Sequence, residues 1–446
     1  MSNETRTVGL TGALAIGIGG MVGGGIFAVL GEAVNLAHGA TWVAFLFAGV
    51  VALLTSSSYA WLSVAHQDRG GTVVFIDKAF QHNLLSGSVN MMLWLCYLVT
   101  IALYATAFAS YGQTFFTTGT PFIFHVLIAV AIILPTLINL VSSSFVARSE
   151  FAIVCIKVAL LLLIIVSGLP FVDTTRLAPA NWERPMVILS AGMIIFVAYE
   201  GFELIANAAE DIKEPVKNLP RAFYGAVLFV LLLYVFISIV TVGAVAEHQL
   251  LEARDYALAL AARPALGKTG FTLVAIAALL STFSAINATI YGNARLSYVL
   301  AREGELPPFL GIKKHETPRN GVLATTFFSL IIAQTMPLDE IAILGSAGFL
   351  LIFALVNLAA WKLRSEIKGK PVVIAASCLF STAALLILLA HTYDTRPRAV
   401  LVFFAFIAFA TAFEAGYGVF IRKHFFHRSY QDDSSDKPAP GPMPPS

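Results

Sequence analysis

The sequence predicts an all-α polytopic membrane protein with twelve transmembrane helices. Of its 446 residues, 58% are hydrophobic and only 12% are charged, whereas soluble domains carry about 25% charged residues. The apolar residues form long continuous runs, and about 20 such residues in a helix cross the hydrocarbon core of a bilayer. A chain this apolar cannot cover its surface with polar groups in water. The composition therefore requires a lipid bilayer as a partner and excludes disordered and nucleic-acid-binding proteins.

Twelve runs have the required length, and they form two blocks of five and a final pair. The predicted spans are residues 10–36, 41–65, 85–116, 122–141, 145–168, 186–209, 221–246, 270–301, 320–336, 340–361, 371–391 and 399–421. The blocks are residues 10–168 and 186–361, and the two extra spans lie within residues 371–421. Residues 1–430 are thus predicted to form one domain. Residues 431–446 are polar and Pro-rich, so we expect a disordered cytoplasmic tail.

The distribution of Lys and Arg predicts the orientation. With the N-terminus inside, the inner segments hold nineteen of these residues and the outer segments seven. Positive charge is enriched on the cytoplasmic side of membrane proteins. We therefore expect a multi-pass protein of the cell membrane with both termini in the cytoplasm.

The sequence predicts no cofactor and no metal site. Cys96, Cys155 and Cys378 lie in apolar runs without paired spacing, as buried free thiols do. Gly23-x-Gly25-x-x-Ala28 is similar to a dinucleotide-binding fingerprint, but no strand precedes it. Histidines lie in loops or near span ends, so no histidine cluster is expected within the membrane.

Span 1 contains an unusual glycine cluster. Residues 17–25 read GIGGMVGGG, with six glycines in nine positions. Each glycine weakens a helix by about 1 kcal/mol, and open backbone at this depth is tolerated only against a cavity or inside protein. Close packing of two helices through GxxxG pairs explains some of these glycines. We predict that the others form an unwound binding segment.

Span 6 carries two acidic residues near its middle. Glu200 and Glu203 flank Gly201 in FVAYEGFELIAN. Charged groups at this depth cost about 2.5–3.5 kcal/mol on insertion scales and are candidates for function. The alternative is that one or both are neutral or structural groups facing a watery cavity.

Breaks in spans 1 and 6 occupy matching positions in the two blocks. Interrupted helices at corresponding positions of two halves mark the binding site of transporters built from inverted repeats. Free N–H groups at a half-helix start bind a carboxylate, and free carbonyls bind an ammonium. The residues alone therefore predict a transporter for a substrate that carries both charges.

Three motifs resemble the amino acid–polyamine–organocation (APC) transporters. They are GGMVGGGIF at 19–27, FVAYEGFELIANAAEDIKEPVKNLPRA at 196–222 and IYGNARLSYVLAREGELPP at 290–308. The resemblance covers residues 6–425 and favours the prokaryotic, proton-coupled and sodium-independent members. It implies the five-plus-five inverted repeat of the bacterial leucine transporter, with broken helices 1 and 6.

The resemblance also implies a set of substrate-binding residues. The backbone N–H groups of Gly24 and Gly25 would bind the carboxylate of an amino acid. The carbonyls of Met21, Val197 and Glu200 would bind its ammonium, and Phe196 would cover the site as an aromatic lid. Gly23 and Gly201 complete the implied set.

Lys157 lies about twelve residues from either end of span 5, which is too deep to reach the interface comfortably. It is either a structural cation or a group that gains and loses a proton. The resemblance implies the second, with the ammonium at the place where sodium-driven relatives bind an ion. It would bridge the span 1 break to a span 8 hydroxyl, for which Ser281 and Ser284 are the candidates. A proton is then the coupling ion, and Glu203 is a possible charge partner.

Tyr97, Tyr104 and Tyr111 recur every seven residues in span 3 and share one face. Helix packing and lining of the pathway both explain this pattern.

The sequence predicts a proton-coupled secondary transporter and no enzyme activity. One alternative is an exchanger for cationic amino acids or polyamines, with Glu200 as partner of the substrate side chain. The other is a nutrient sensor or a channel on the same scaffold, although a sensor is expected to carry a long soluble domain, which the sequence does not show. The identity of the substrate and the oligomeric state are not predicted.

Overall fold

The structure, a computed structural model, describes residues 6–68, 70–116, 120–141, 143–312 and 318–422, without the side chains of 143–150. Its helices are α1 Leu10–Met21, α2 Gly25–Ala37, α3 Thr41–Ala65, α4 Thr72–Phe80, α5 Leu84–Gln113, α6 Pro121–Val141, α7 Ser143–Gly168, α8 Pro185–Ile194, α9 Leu204–Asn207, α10 Pro215–Ala244, α11 Glu247–Glu252, α12 Ala257–Ala261, α13 Arg263–Arg302, α14 Arg319–Thr335, α15 Leu338–Lys362, α16 Pro371–Thr395 and α17 Pro397–Tyr417. The described residues contain no strand. The all-α polytopic fold is confirmed.

Ten helical segments of the described chain are long and apolar enough to cross a membrane, and the bent pair α1 and α2 makes an eleventh span. Helix α14 has 17 residues and is about 26 Å long, a little shorter than the hydrocarbon core. Helices therefore occupy all twelve predicted places. The count of twelve crossings, the inverted repeat and the division at residue 430 stay predictions, and residues 431–446 lie outside the described residues.

Two helices begin several residues before their predicted starts. Span 7 was expected from residue 221, but α10 begins at Pro215, where a proline fits the first helical position. Span 8 was expected from residue 270, but α13 begins at Arg263 and bends at Gly267, whose φ is +59°. Both starts contain charged residues, so an apolar run begins only after the helix has already started.

Spans 1 and 6 run antiparallel along their whole length. Val8, before α1, forms a bridge with Ile212, after α9. At the other end His38, after α2, forms a bridge with Trp182, before α8. The middles of the two spans consequently lie at the same level of the bundle.

Helix α5 forms the centre of the bundle, and nearly all of its residues from Ser86 to Gly112 are buried. Helices α6, α16 and α17 are peripheral, with only 28% of their most apolar stretch buried. Their outer faces carry exposed apolar side chains such as Val372 and Leu401, as expected of faces in contact with lipid. Span 1 packs against α5 through α2, and span 6 contacts α5 through hydrogen bonds from Tyr97 and Tyr104.

Candidate substrate site at two helix breaks

Span 1 is broken at its middle, as predicted. Helix α1 ends at Met21 and α2 begins at Gly25, and their axes differ by 46°. Residues 21–34 are all buried. The N–H groups of residues 24–27 donate no hydrogen bond to another described residue, because the first N–H groups of a helix have no partner within it. The break thus presents free donors at the positive end of α2, where an anion is stabilised.

Span 6 is broken beside Glu200. Helix α8 ends at Ile194, a 3₁₀ turn covers Ile195–Tyr199, and α9 begins at Leu204. Gly201, between the two, has a φ of +117°. Only glycine adopts this conformation without strain from a Cβ atom, so the sequence itself fixes the position of the break.

The two breaks touch each other through glycines. A Cβ atom on Gly20 would lie 2.7 Å from the carbonyl oxygen of Gly201. A Cβ atom on Gly25 would lie 2.7 Å from the Cα atom of Ala198. Both distances are shorter than a van der Waals contact, so larger residues would push the breaks apart. Glycines at the start and at the end of the cluster therefore both permit close packing of the two breaks.

Two of the three carbonyls predicted to bind an ammonium already accept a hydrogen bond. The Tyr234 hydroxyl lies 2.7 Å from the carbonyl oxygen of Met21 and 3.2 Å from that of Ala198. The carbonyl of Val197 accepts from the N–H of Glu200 at 3.2 Å. A carbonyl oxygen has two lone pairs, so Met21 and Val197 each retain one for a ligand. The Glu200 carbonyl accepts no bond from another described residue.

Span 8 contacts the span 1 break through one of the two candidate hydroxyls. Ser281 donates to the carbonyl of Gly23 and lies 3.3 Å from that of Val22. Ser284 is partly buried and forms no hydrogen bond with the described residues of the break. The structure thus places Ser281 at the predicted junction of spans 1 and 8.

The two acidic residues form a buried cluster with two tyrosines. Glu200 accepts a hydrogen bond from the Tyr104 hydroxyl, and Glu203 accepts one from the Tyr97 hydroxyl, both at 3.3 Å. Glu203 also accepts from the N–H of Gly201 at 2.8 Å, and both carboxyl groups are buried beside the span 6 break. The described partners of Glu203 include no cation. The tyrosines on one face of span 3 therefore bind the two acidic side chains of the span 6 break.

Aromatic rings cover both breaks. The Phe196 side chain is fully buried and packs edge-to-face on Phe353, with ring centroids 5.9 Å apart. On the span 1 side, a Cβ atom on Gly24 would lie 2.3 Å from the Tyr104 ring. The site is closed by side chains on these two sides.

Lys157 is buried in α7, with a relative exposure of 5%. Val154 lies three residues before it and so shares its helix face. A Cβ atom on Gly19 would lie 2.6 Å from a Val154 methyl carbon. The face of α7 that carries Lys157 therefore packs against α1 just before the break.

The set of binding residues predicted from the sequence omits three side chains that organise the site. Tyr104 was on the recurrent tyrosine face, so its spacing was the available signal. Tyr234 lies in an otherwise apolar run of α10, where a single hydroxyl was a weak signal. Ser346 donates to the carbonyl of Ile194 at 2.6 Å and accepts from the N–H of Val197 at 2.9 Å. Nothing in its sequence neighbourhood indicates that role.

A second group of carboxylates lies away from the breaks. Oxygen atoms of Asp77, Glu303 and Glu305 lie within 4.8 Å of one another. The Asn90 amide donates to Asp77 at 3.2 Å and to Glu305 at 3.0 Å, and all three acids have further polar partners. This cluster ties α4 and α5 to the end of α13.

A bundle of membrane-spanning helices that holds two facing helix breaks at its centre defines the class of membrane transporters. The family model described as amino acid permease matches residues 8–421. The chain belongs to this family, within the APC superfamily, and is a transporter rather than an enzyme.

Several relatives share most of the chain. The inner membrane transport protein YbaT of Escherichia coli is 32% identical, covering 84% of this chain and 88% of its own. The methylthioribose transporter of Bacillus subtilis is 28% identical, covering 84% and 87%. The branched-chain amino acid permease BcaP of the same organism is 26% identical, covering 81% of each chain. The family supports transport of amino acids across a membrane.

Proposed function

We propose that this protein is a proton-coupled, sodium-independent symporter that carries amino acids by alternating access. The main support is the pair of facing breaks. They approach each other where Gly20 meets Gly201 and where Gly25 meets Ala198. The free N–H groups at the start of α2 bind the substrate carboxylate. The carbonyls of Met21, Val197 and Glu200 receive its ammonium.

The antiparallel course of spans 1 and 6 supports a five-plus-five inverted repeat. Two halves related in this way have two similar ways of packing, one open to each side of the membrane. The excess of Lys and Arg on the N-terminal side supports cytoplasmic termini in the cell membrane. The twelve spans of this proposal include α14.

Lys157 supplies the coupling proton. Its burial in α7 and the contact of Val154 with Gly19 direct this helix face towards the span 1 break. An ammonium in this position replaces the positive charge of a bound sodium ion. Ser281 is the span 8 hydroxyl that this proposal assigns to the same junction, because it already contacts the carbonyl of Gly23.

A symporter of this kind takes up amino acids without sodium and faster as the external pH falls. The experiment is uptake of labelled amino acids into proteoliposomes, with sodium replaced by choline and with the membrane potential held constant. Uptake that persists in choline and rises with the inward proton gradient is the expected result. Steep dependence on sodium at fixed pH and potential would show that Lys157 has been misinterpreted.

A carrier of cationic amino acids or polyamines is the second candidate. It is favoured by Glu200 and Glu203, two buried carboxyl groups beside the span 6 break. A ligand at 100 times its Kd stabilises its protein by about 2.7 kcal/mol. Thermal unfolding of the purified protein with neutral amino acids, cationic amino acids and polyamines therefore separates the two candidates. Stabilisation by cationic ligands alone would favour the second.

A further inference from the structure

Two acidic and two basic side chains form a ring at the end of the bundle where α2 terminates. Glu32 contacts Arg254 and accepts from Arg396 at 3.0 Å. Asp339 contacts the same two guanidinium groups, at 3.3 Å from Arg254 and 3.0 Å from Arg396. We call these four residues the Glu32 ring. Each acid pairs with both arginines, so no member has a single partner.

The four members come from four separate parts of the chain. Glu32 is in the second turn of α2, beyond the span 1 break, and Arg254 is in the connection between α11 and α12. Asp339 is in the first turn of α15, and Arg396 directly precedes α17. The ring thus ties the outer half of the broken span to three other elements. One of them belongs to the extra pair of spans.

The segment that carries Arg254 rests directly on α2. A Cβ atom on Gly31 would lie 1.7 Å from the carbonyl oxygen of Arg254. Only glycine permits this approach. The backbone contact and the ring therefore hold the same two segments together.

The ring is buried on the side of Glu32 and partly exposed on the other: the side chains of Arg254, Arg396 and Asp339 have relative exposures of 34%, 23% and 21%. Glu32 has a relative exposure of only 5%, and a buried carboxylate that loses its partner is strongly destabilised. Burial opposes the charge of Arg254, but the carboxylates of Glu32 and Asp339 outweigh this effect and raise its pKa. Burial raises the pKa of the neighbouring Asp255, although the positive charge of Arg254 acts in the opposite direction. Separating the ring without admitting water would be costly.

The ring borders a small cavity on the side of the span 1 break. The cavity is lined by Ala28 and Ala342 together with ring members. Ala28 is only three residues after Gly25, the first residue of α2. Movement of α2 away from α15 would break the ring and would connect this cavity with the site.

We propose that Glu32, Arg254, Asp339 and Arg396 form the gate that closes the substrate site on this side, with Arg396 making the extra spans part of the gate. The proposal rests on the proposed function, because alternating access needs groups that interact differently in the two states. In the closed state described here the ring is complete. In the state open to this side it is broken and its members are hydrated.

The test measures the reactivity of a cysteine placed under the ring. Ala342, which is 1% exposed, is changed to cysteine in a protein whose three native cysteines are replaced by alanine. The rate of reaction with a water-soluble maleimide is followed in detergent. Arg254→Gln and Arg396→Gln are each expected to raise the rate about tenfold, equivalent to ~1.4 kcal/mol in the gate equilibrium.

Arg398→Gln is the matched control. Arg398 lies two residues after Arg396, at the start of α17. It is 70% exposed and pairs with Glu340 at 3.8 Å, so the rate should not change. If both ring variants are folded and react at the parental rate, the ring is a static tie and the proposal is wrong.

Arg254→Lys covers the case in which the glutamine variants fail to fold. Lysine keeps the charge but lacks the planar fork that contacts two carboxylates at once. A smaller rise in rate is expected, and an unchanged rate in this folded variant would overturn the proposal. The measurement needs no transport, so failure of uptake in proteoliposomes and failure of the gate are observed separately.

Discussion

Gly25→Leu is expected to abolish amino acid uptake while the protein still inserts into the membrane. A Cβ atom at this position already lies 2.7 Å from the Cα atom of Ala198, so a leucine side chain must separate the two breaks or fill the space of the substrate carboxylate. We expect uptake indistinguishable from that of empty membranes, measured per amount of inserted protein.

Gly292→Leu is the matched control for this prediction. Gly292 is exposed in the last third of α13, and a Cβ atom there meets nothing within 4 Å. The control should transport like the parent. Normal uptake by well-expressed Gly25→Leu protein would remove the start of α2 from the binding site.

Lys157→Ala is expected to reduce net uptake more than tenfold while it changes substrate affinity much less. The reason is that the proposed ammonium contacts the span 1 break in one state and releases it in the other. A group that interacts equally with both states cannot shift their populations. Binding is followed by ligand-dependent thermal stability, and uptake is measured in proteoliposomes over a range of pH.

Removing a buried polar group also affects folding, because its partners lose a hydrogen bond. Thermal stability is therefore measured beside transport, and Lys157→Met supplies a variant of similar length. Lys217→Ala removes an exposed lysine that pairs with Glu214 and should leave uptake unchanged. If Lys157→Ala and Lys157→Met are stable and retain parental rates and pH dependence, Lys157 is a structural residue.

The positions of the spans and of both breaks could be predicted from the sequence because their causes are local. Runs of apolar residues set where helices cross the membrane. The density of glycines predicted the break before Gly25. Gly201 with Glu200 and Glu203 nearby predicted the break in span 6. Errors arose where charged residues belong to a helix, as between Arg263 and the bend at Gly267.

The contacts that complete the site could not be predicted because they join distant parts of the chain. Tyr234 approaches a carbonyl 213 residues earlier, and Ser346 approaches one 152 residues earlier. Glu32 and Arg396 are 364 residues apart. A single sequence carries no signal for such pairs, whereas the seven-residue repeat of tyrosines in span 3 did carry one. The role of Lys157 stays a prediction.

Counterflow in proteoliposomes tests the central claim most directly, because it requires one site that is exposed alternately to the two sides. Vesicles are loaded with a high concentration of the unlabelled amino acid that binds, and trace labelled amino acid is added outside without any ion gradient. A carrier must accumulate the label transiently above its external concentration, since each inward site returns loaded with unlabelled substrate. Label that only equilibrates, at a rate unaffected by internal substrate, would show a channel and contradict alternating access.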